Sequence, residues 1–206
     1  MKKMQTRIRK ADQAAATRSL LVTTARKLFG ERGYAGVSID EIAQRAGVTT
    51  GGLYHHFSDK RDIFKVVYEE IESDLATKII EGIQARYGPR SNAWLAVRAG
   101  GQAFLDACLD PAIQHVVLLD ADSVLGWDAR RDIAEYGLRL IRQGLQLAID
   151  EGFIEPQPVE PLAHILRAAL TEAALLLTRS GDQASARVEI GEAVDRLIDG
   201  LRSPKG

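Results

Sequence analysis

The chain has 206 residues, of which 46% are hydrophobic, so it can bury a sizeable core and form one large or two small domains. Its single cysteine, Cys108, excludes an internal disulfide and a cysteine-based zinc site. The formal net charge of −1 conceals an asymmetry, because residues 1–62 carry 12 Lys and Arg against 6 Asp and Glu (+6) whereas residues 63–206 carry 15 against 22 (−7), which favours an anionic partner for the N-terminal part.

The N-terminal segment is basic and lacks the apolar stretch that a signal peptide requires. Its charged side chains are Lys2, Lys3, Arg7, Arg9 and Lys10. Because the sequence also has no run of about 18 apolar residues, we expect a cytoplasmic protein with no membrane partner. We expect residues 1–16 to form a flexible basic arm, with two interpretations open: contact with a DNA minor groove, or a solvated terminus without contacts.

The first predicted helices are short. Residues 17–32 have apolar side chains at helical spacing and are followed by Gly33. Ser38 and Glu41 have the spacing of a capping box, which predicts that a second helix begins after Ser38. Gly47 suits the left-handed position that ends such a helix.

A third helix follows immediately. The Thr49 hydroxyl is predicted to cap it, and Leu53 and Phe57, at an i, i+4 spacing, are predicted to anchor it to the core. Two short helices joined by a glycine turn are typical of a helix-turn-helix unit. The alternative is a surface helical hairpin within a bundle, because short motifs have false positives.

The exposed face of the third helix carries short or planar hydrogen-bonding groups. With Leu53 and Phe57 inward, this face consists of Thr50, Gly51, Tyr54 and His55, with His56 at its edge. Such a face suits a DNA groove. A metal site is not predicted, because adjacent histidines on a helix point in different directions and have no partner at ligand spacing.

The stretch from Arg18 to Phe64, with its GYAGVSIDEIAQRAGV and LYHHFSDKRDIF segments, resembles the N-terminal domain of the tetracycline-repressor (TetR-type) family of bacterial transcriptional regulators. The resemblance implies an all-α protein: an N-terminal three-helix DNA-binding domain with a helix-turn-helix over residues 17–62, then a helical ligand-binding and dimerisation domain over residues 63–206.

The resemblance also implies roles for individual residues. Thr50, Gly51 and His55 match positions that face base edges, and the positions matched to phosphate contacts are Ser38, Thr49, Tyr54, His56 and Lys60. The chain departs from the family pattern at Thr50, where a longer polar side chain is common, and at Gly52, which replaces a threonine, serine or alanine. Paired glycines cost a short helix about 1 kcal/mol each, so we expect this helix to be soft until DNA holds it.

The remaining sequence predicts only helices. Apolar residues every fourth position from Ile63 to Ile83 indicate one long helix that joins the two domains and ends near Gly88. Further helices are predicted over residues 91–109, 110–119, 128–151, 162–179 and 183–201, with Asp110 and Asp182 as caps.

The last two helices carry apolar stripes that are wide for a single neighbour. The resemblance implies that this pair forms a four-helix bundle with a twofold mate. The predicted interface residues are Leu162, Leu166, Leu170, Ala173, Leu177, Ile190, Val194, Leu197 and Leu201. The alternative is a hairpin buried entirely within one subunit.

The resemblance further implies a ligand pocket between the middle helices. The candidate lining residues are Trp94, Phe104, Cys108, His115, Trp127 and Tyr136. The alternative for each is an ordinary core position, and for Cys108 a small buried hydrophobe rather than a reactive thiol. The acids of LLDADSVLGWDARRD are consistent with a cation site or with a solvated acidic face.

The sequence contains no nucleophile with a base, phosphate loop or metal cluster, so we predict no catalytic residues, no cofactor and no metal. The predicted function is a ligand-responsive transcriptional repressor that binds a palindromic operator as a homodimer and is released by a small molecule. The alternative is a helical dimeric adaptor that binds protein and has no DNA operator. The sequence specifies neither the operator nor the effector.

Overall fold

Residues 2–88 and 92–203 are described by the computed structural model, with side chains described for residues 12–88, 92–126 and 135–203. The first helix, α1, runs from Lys2 to Arg32 without a break. It therefore begins well before residue 17 and includes most of the expected flexible arm. Lys, Arg, Gln and Ala dominate residues 2–16 and all favour helix, so nothing in the sequence stops the helix there. The side chains of the five basic arm residues lie outside the described set.

Two short helices follow, and their predicted caps are confirmed. Helix α2 spans Ile39–Arg45, and the Ser38 hydroxyl accepts a hydrogen bond from the Glu41 amide at 3.2 Å. At its end Gly47 has φ of 66°, and the Val48 amide donates to the Ala43 carbonyl at 2.9 Å, which is a Schellman termination. Helix α3 spans Thr50–Tyr54.

The long connecting helix α4 spans Lys60–Tyr87 and is capped by the Asp59 carboxylate, which accepts from the Asp62 amide at 2.7 Å. Its first turns pack on α1 through an aromatic cluster. The Phe64 ring lies 5.3 Å from the Phe29 ring and 5.1 Å from the Tyr34 ring, centroid to centroid, both edge-on. Helix α4 is therefore a structural part of both domains.

The body consists of helices, as predicted, with shifted ends. They are α5 (Ala93–Ala107), a π-helix (Ile113–Asp120), α6 (Ala121–Leu125), α7 (Trp127–Asp150), α8 (Val159–Arg179) and α9 (Gln183–Asp199). The predicted start of α5 at Ser91 lies outside the described residues, and Asn92 caps that helix. We predicted an ordinary helix over residues 110–119, and nothing in the local sequence explains the wider turns of the π-helix.

One continuous core joins the two domains. It extends from Leu21 and Phe29 in α1, through Ile63 and Ile71 in α4, to Ile198 in α9. In the part of the chain that the structure describes, the only extended pairing is an isolated bridge between Ile154 and Arg202. Because the core is shared, a change of packing in the body can reach the N-terminal domain through α4.

Candidate nucleic-acid interface and internal cavity

Helix α3 is held in place by one cap and two buried anchors. The Thr49 hydroxyl accepts from the Gly52 amide at 3.0 Å and so begins the helix, as predicted. Leu53 and Phe57 are buried, and the Phe57 amide donates to the Leu53 carbonyl at 3.0 Å. The regular helix ends at Tyr54, three residues before its second anchor. The anchors fix which face of α3 points outward.

The outward face of α3 is open to a large partner. Tyr54 is 51% exposed, His55 is exposed, and a Cβ built on Gly51 would meet no atom within 4 Å. The Thr50 hydroxyl donates to the Asp40 carboxylate of α2 at 2.8 Å, which orients this side chain between the two helices. The groups predicted to read base edges therefore lie together on one surface.

His55 on this surface and His56 at its edge contact each other. The ring centroids of His55 and His56 lie 5.5 Å apart in an edge-on arrangement. Within the residues that the structure describes, no three His, Cys, Asp or Glu side chains come together in a group that could hold a metal ion. The pair contributes planar hydrogen-bonding groups to the surface.

Three of the five residues predicted to contact phosphate line a concavity beside α3, and Thr49 and His56 do not. Ser38, Tyr54 and Lys60 line this open concavity together with residues 35–37, Ile39 and the acidic Glu41. The Lys60 ammonium donates to the carbonyl oxygens of Tyr34 at 2.9 Å and Val37 at 2.8 Å. An ammonium has three N–H donors, so one remains for a phosphate oxygen.

The environment of Lys60 has an electrostatic consequence. Its Nζ lies 4.0 Å from the centroid of the Tyr34 ring, and partial burial lowers the pKa of the ammonium, an effect that the charge of Asp120 opposes. Lys60 therefore holds the turn between α1 and α2 in addition to any role on DNA. The sequence did not indicate this structural role.

The N-terminal domain is attached to the body by polar contacts that sequence analysis missed. The Asp120 carboxylate, at the end of the π-helix, accepts from the Tyr34 amide at 2.7 Å. The Arg61 guanidinium donates to the last carbonyls of α6, those of Val124 at 2.9 Å and Leu125 at 2.8 Å. Asp120 belongs to the acidic segment for which a cation site or a solvated face was considered, and its actual partner is a backbone amide 86 residues away. No local pattern indicates such a contact.

The body encloses a cavity of about 200 Å³ between α4, α5, the π-helix, α7 and α8. Its walls are mainly aliphatic, and the charged side chains among the lining residues are Glu72 and Arg167. Val117 and Leu118 of the π-helix belong to the wall. The segment that lines the cavity is thus the same segment that bonds to Tyr34 through Asp120.

Of the five predicted pocket residues whose side chains the structure describes, one lines the cavity. Phe104 lines the cavity, whereas Trp94 and Cys108 are buried in the core beside it. His115 faces Gly33 at the domain junction, and Tyr136 is 46% exposed under the Arg139 guanidinium. The Trp127 side chain lies outside the described set. Large aromatic residues did not indicate where the cavity lies, because large side chains fill the interior instead of leaving space for a ligand. Glycines inside helices, Gly100, Gly101, Gly137 and Gly144, line the cavity instead.

Cys108 is a buried thiol. It has no exposed surface, and burial raises its pKa to about 12, with a smaller contribution in the same direction from Glu72. A thiol with this pKa stays protonated at neutral pH and is a poor nucleophile. The interpretation as a small buried hydrophobe therefore fits the structure.

The predicted interface residues divide into two groups. Five of them are buried within their own subunit, which corrects their assignment as interface residues: Leu166, Leu170, Ala173, Leu177 and Val194. Leu162, Ile190 and Leu201 are half-buried against the core. Leu197 is 52% exposed. Three further large apolar residues on the same two helices, which are not among the nine predicted interface residues, are also exposed: Ile165, Leu176 and Val188, at 66%, 52% and 61%.

Polar contacts explain which side of α9 faces inward. Asp195 accepts from the Arg98 guanidinium at 2.7 Å and from the Gln102 amide at 2.8 Å. The same amide donates to the carbonyl of Gly191 at 2.8 Å. These bonds to α5 rotate Val194 and Ile198 inward and leave Val188 and Leu197 outward. The width of an apolar stripe does not indicate this rotation.

Helix α8 is unusually apolar for a helix that its own subunit only partly covers. Residues 159–179 are long and apolar enough to cross a membrane, with a mean hydropathy of 1.2 in an 18-residue window, and 33% of that window is buried. A helix that packs on one side against a core and presents apolar residues on the other has this composition too. The exposed residues Ile165 and Leu176 belong to that second side.

Comparisons with known proteins agree with this architecture. Residues 21–67 match the model of bacterial regulatory proteins of the tetR family, and residues 94–201 match that of a tetracyclin repressor-like C-terminal domain. The crystal structure of a TetR-family transcriptional regulator from Pectobacterium atrosepticum is 30% identical and superposes with a TM-score of 0.78, covering 93% of this chain and 96% of that one.

Two curated relatives are similar over different lengths. The Transposon Tn10 TetC protein of Escherichia coli is 27% identical over 168 residues, which are 79% of this chain and 81% of that protein. The HTH-type transcriptional regulator AcrR of Shigella flexneri is 40% identical over 75 residues, 36% of this chain and 34% of that protein.

Proposed function

Because the chain belongs to the TetR family of bacterial transcriptional regulators, we propose that it represses transcription by binding a palindromic operator as a dimer, and that it leaves the operator when a small molecule enters the body. The observation that carries this proposal is the outward face of α3. Thr50, Gly51, Tyr54 and His55 are presented together over the buried anchors Leu53 and Phe57. The proposal includes a cytoplasmic location, where operator DNA is found.

The dimer follows from the operator and from the uncovered face of α8 and α9. A symmetric pair of subunits presents two copies of α3, and such pairs address half-sites about 34 to 36 Å apart. Ile165, Leu176, Val188 and Leu197 supply apolar surface for a second copy of the same helices, which would build a four-helix bundle. The charge of residues 63–206 would keep the body away from the phosphate backbone.

The release step is supported by the path from the cavity to the N-terminal domain. Val117 and Leu118 line the cavity, and Asp120 on the same π-helix accepts from the Tyr34 amide. Helix α4 gives a second path, because Ile79 lines the cavity while Lys60 holds the turn that precedes α2. A ligand that favours one packing of these elements changes the spacing of the two α3 helices. A coupling of about 1 to 3 kcal/mol is sufficient for a usable switch.

The effector in this proposal is small and largely apolar, and no chemistry is performed on it. The cavity volume of about 200 Å³ and its aliphatic walls support that description. A protein-binding adaptor without an operator is the competing function. It predicts that the exposed apolar face binds another protein and that α3 has no DNA partner.

The deciding experiment is selection of DNA from a random pool by the purified dimer, followed by mobility shifts on the selected sequence. We expect a palindrome whose half-sites lie one helical turn apart. His55→Ala should weaken or alter the selection, whereas the matched control His164→Ala, an exposed histidine on α8, should not. Failure to enrich any sequence would favour the adaptor.

A further inference from the structure

The wall of the body cavity contains one basic side chain, that of Arg167 on α8, among its lining residues. The Nε atom of Arg167 is buried and has no hydrogen-bond partner in the part of the chain that the structure describes. A guanidinium stays charged at all ordinary pH values, and a buried donor without an acceptor is costly. Such a donor in the wall of a mainly aliphatic cavity points to an acceptor that a ligand supplies.

Among the side chains that the structure describes, none bonds to the Arg167 Nε. Thr171 lies one turn further along α8, and its hydroxyl already donates to the Arg167 carbonyl at 2.9 Å. Glu72, the acid among the lining residues, is close enough to Cys108 at the end of α5 for its charge to raise the pKa of that thiol. Arg167 is the one basic side chain among the described lining residues, so the wall offers a partner for one carboxylate.

The size of the cavity limits the apolar part of the ligand. An engineered protein cavity of about 150 Å³ with aliphatic and aromatic walls binds benzene. The cavity here has a volume of about 200 Å³ and walls that include Leu75, Ile79 and Phe104. By that comparison it suits a tail of about six to ten carbon atoms.

We propose that the effector is an amphipathic monocarboxylate, whose carboxylate is bound by the Arg167 guanidinium and whose tail lies against Leu75, Ile79 and Phe104. Arginine is suited to this task because its planar fork donates two parallel hydrogen bonds to a carboxylate. The inference rests on the proposed function, since it names the chemical class of the molecule that releases the operator.

The test compares three probes with the same eight-carbon tail and different head groups: octanoate, 1-octanol and octylamine. Binding to the purified full-length protein is measured by titration calorimetry. We expect octanoate to bind at least about tenfold more tightly than 1-octanol and octylamine, which is the range expected for a hydrogen bond to a charged group. Equal or tighter binding of 1-octanol or octylamine, or no binding of octanoate, would overturn the inference.

Variants assign the difference to Arg167. Arg167→Met should reduce octanoate affinity by about ten- to a hundredfold and leave 1-octanol affinity within about twofold, which also reports that the cavity is still folded. Arg167→Lys, which keeps the charge without the fork, should lose less. The control Arg86→Met removes the same charge from an exposed arginine at the end of α4 and should bind octanoate as the parent does. Unchanged octanoate binding by Arg167→Met would contradict the proposal. If Arg167→Met does not fold, unchanged octanoate binding by Arg167→Lys would contradict it instead.

A second measurement separates this inference from the proposed function. Operator affinity is determined with each probe at a saturating concentration. Release of the operator by octanoate alone supports both the carboxylate inference and the proposed function. Release by 1-octanol or octylamine, but not by octanoate, overturns the carboxylate and leaves ligand-controlled repression standing. Octanoate bound through Arg167 without any change in operator affinity overturns its role as effector and counts against the release step.

Discussion

The N-terminal head, built from α1, α2 and α3, and the body, built from the helices that follow, present their candidate functional groups in opposite ways. In the head, exposed polar side chains stand on a helix of five residues, with a cap and two anchors close by in the sequence. In the body, the candidate site is a cavity whose walls come from five helices. The head is therefore defined by local interactions and the body by long-range packing.

This difference separates the expected consequences of substitution. Changes on the exposed face of α3 should alter DNA binding with little effect on the free energy of unfolding, because those side chains contribute little to the core. Changes in the body should alter more than one property at once, because the same packed helices determine stability, assembly and the ligand response. Each of the following experiments tests one side of this contrast.

The largest effect is expected from charges on the uncovered apolar face. The double variant Val188→Glu, Leu197→Glu places two acids on α9 where the proposed second subunit packs. Burying an unpaired charge costs several kcal/mol, so the dimer should dissociate and operator affinity should fall by at least about a hundredfold. Sedimentation equilibrium and mobility shifts measure the two effects.

The matched control for this variant is Leu147→Glu, an equally exposed leucine on α7. It should remain dimeric and bind the operator. Sedimentation that shows the double variant still dimeric would move the interface away from α8 and α9.

A smaller effect is expected at the junction of the two domains. Asp120→Ala removes the acceptor of the partly buried Tyr34 amide, which should lower the free energy of unfolding by about 1 to 3 kcal/mol. Asp120→Asn keeps an acceptor oxygen and should lose less. Urea denaturation gives the energies, and hydrogen exchange at the Tyr34 amide should accelerate in the alanine variant. Protection equal to that of the parent would mean that this bond does not hold the two domains together.

The accuracy of the sequence analysis follows the same division. The caps Ser38, Thr49 and Asp182 were predicted because each acts within four residues of itself. The inward side of α9 was not predicted, because it depends on bonds such as that of Arg98 to Asp195, 97 residues away. The cavity walls were not predicted either, because five helices that are distant in the sequence supply them. The Asp120 to Tyr34 contact is equally remote in sequence. Glycines inside the predicted helices could have indicated the cavity from the sequence. Glycine destabilises a helix interior relative to alanine, so several glycines there suggest that the packing requires them.

Within the head, base contacts and phosphate contacts should behave differently. His55→Ala is expected to change the preference for particular base pairs by about 1 to 3 kcal/mol. Tyr54→Phe removes one hydroxyl and should weaken binding to all DNA similarly, by about 0.5 to 1.5 kcal/mol. Competition binding with operator variants measures the first effect, and binding to nonspecific DNA the second. A Tyr54→Phe variant that weakened operator binding alone would make Tyr54 a specificity residue.

Lys60 tests whether one side chain serves both the fold and the DNA. Lys60→Met removes the donors to the Tyr34 and Val37 carbonyls and should reduce stability. If its third N–H also binds phosphate, the slope of log affinity against log salt concentration should fall by about 1. An unchanged slope with reduced stability would leave Lys60 with a structural role alone.

The smallest expected effect is an increase in stability. Gly137 is in the interior of α7 and lines the cavity, and a Cβ built on it would meet no atom within 4 Å. Gly137→Ala should therefore raise the free energy of unfolding by about 0.5 to 1 kcal/mol, because alanine loses less conformational freedom on folding. The control is Gly82→Ala in α4, where the new Cβ would lie 2.7 Å from the Cβ of Ala103, so the same substitution should destabilise. Gly137→Leu then extends a side chain into the cavity and should reduce octanoate affinity while Gly137→Ala retains most of it. Destabilisation by Gly137→Ala, measured by urea denaturation, would mean that the space beside α7 is not open and that the cavity is smaller than its walls indicate.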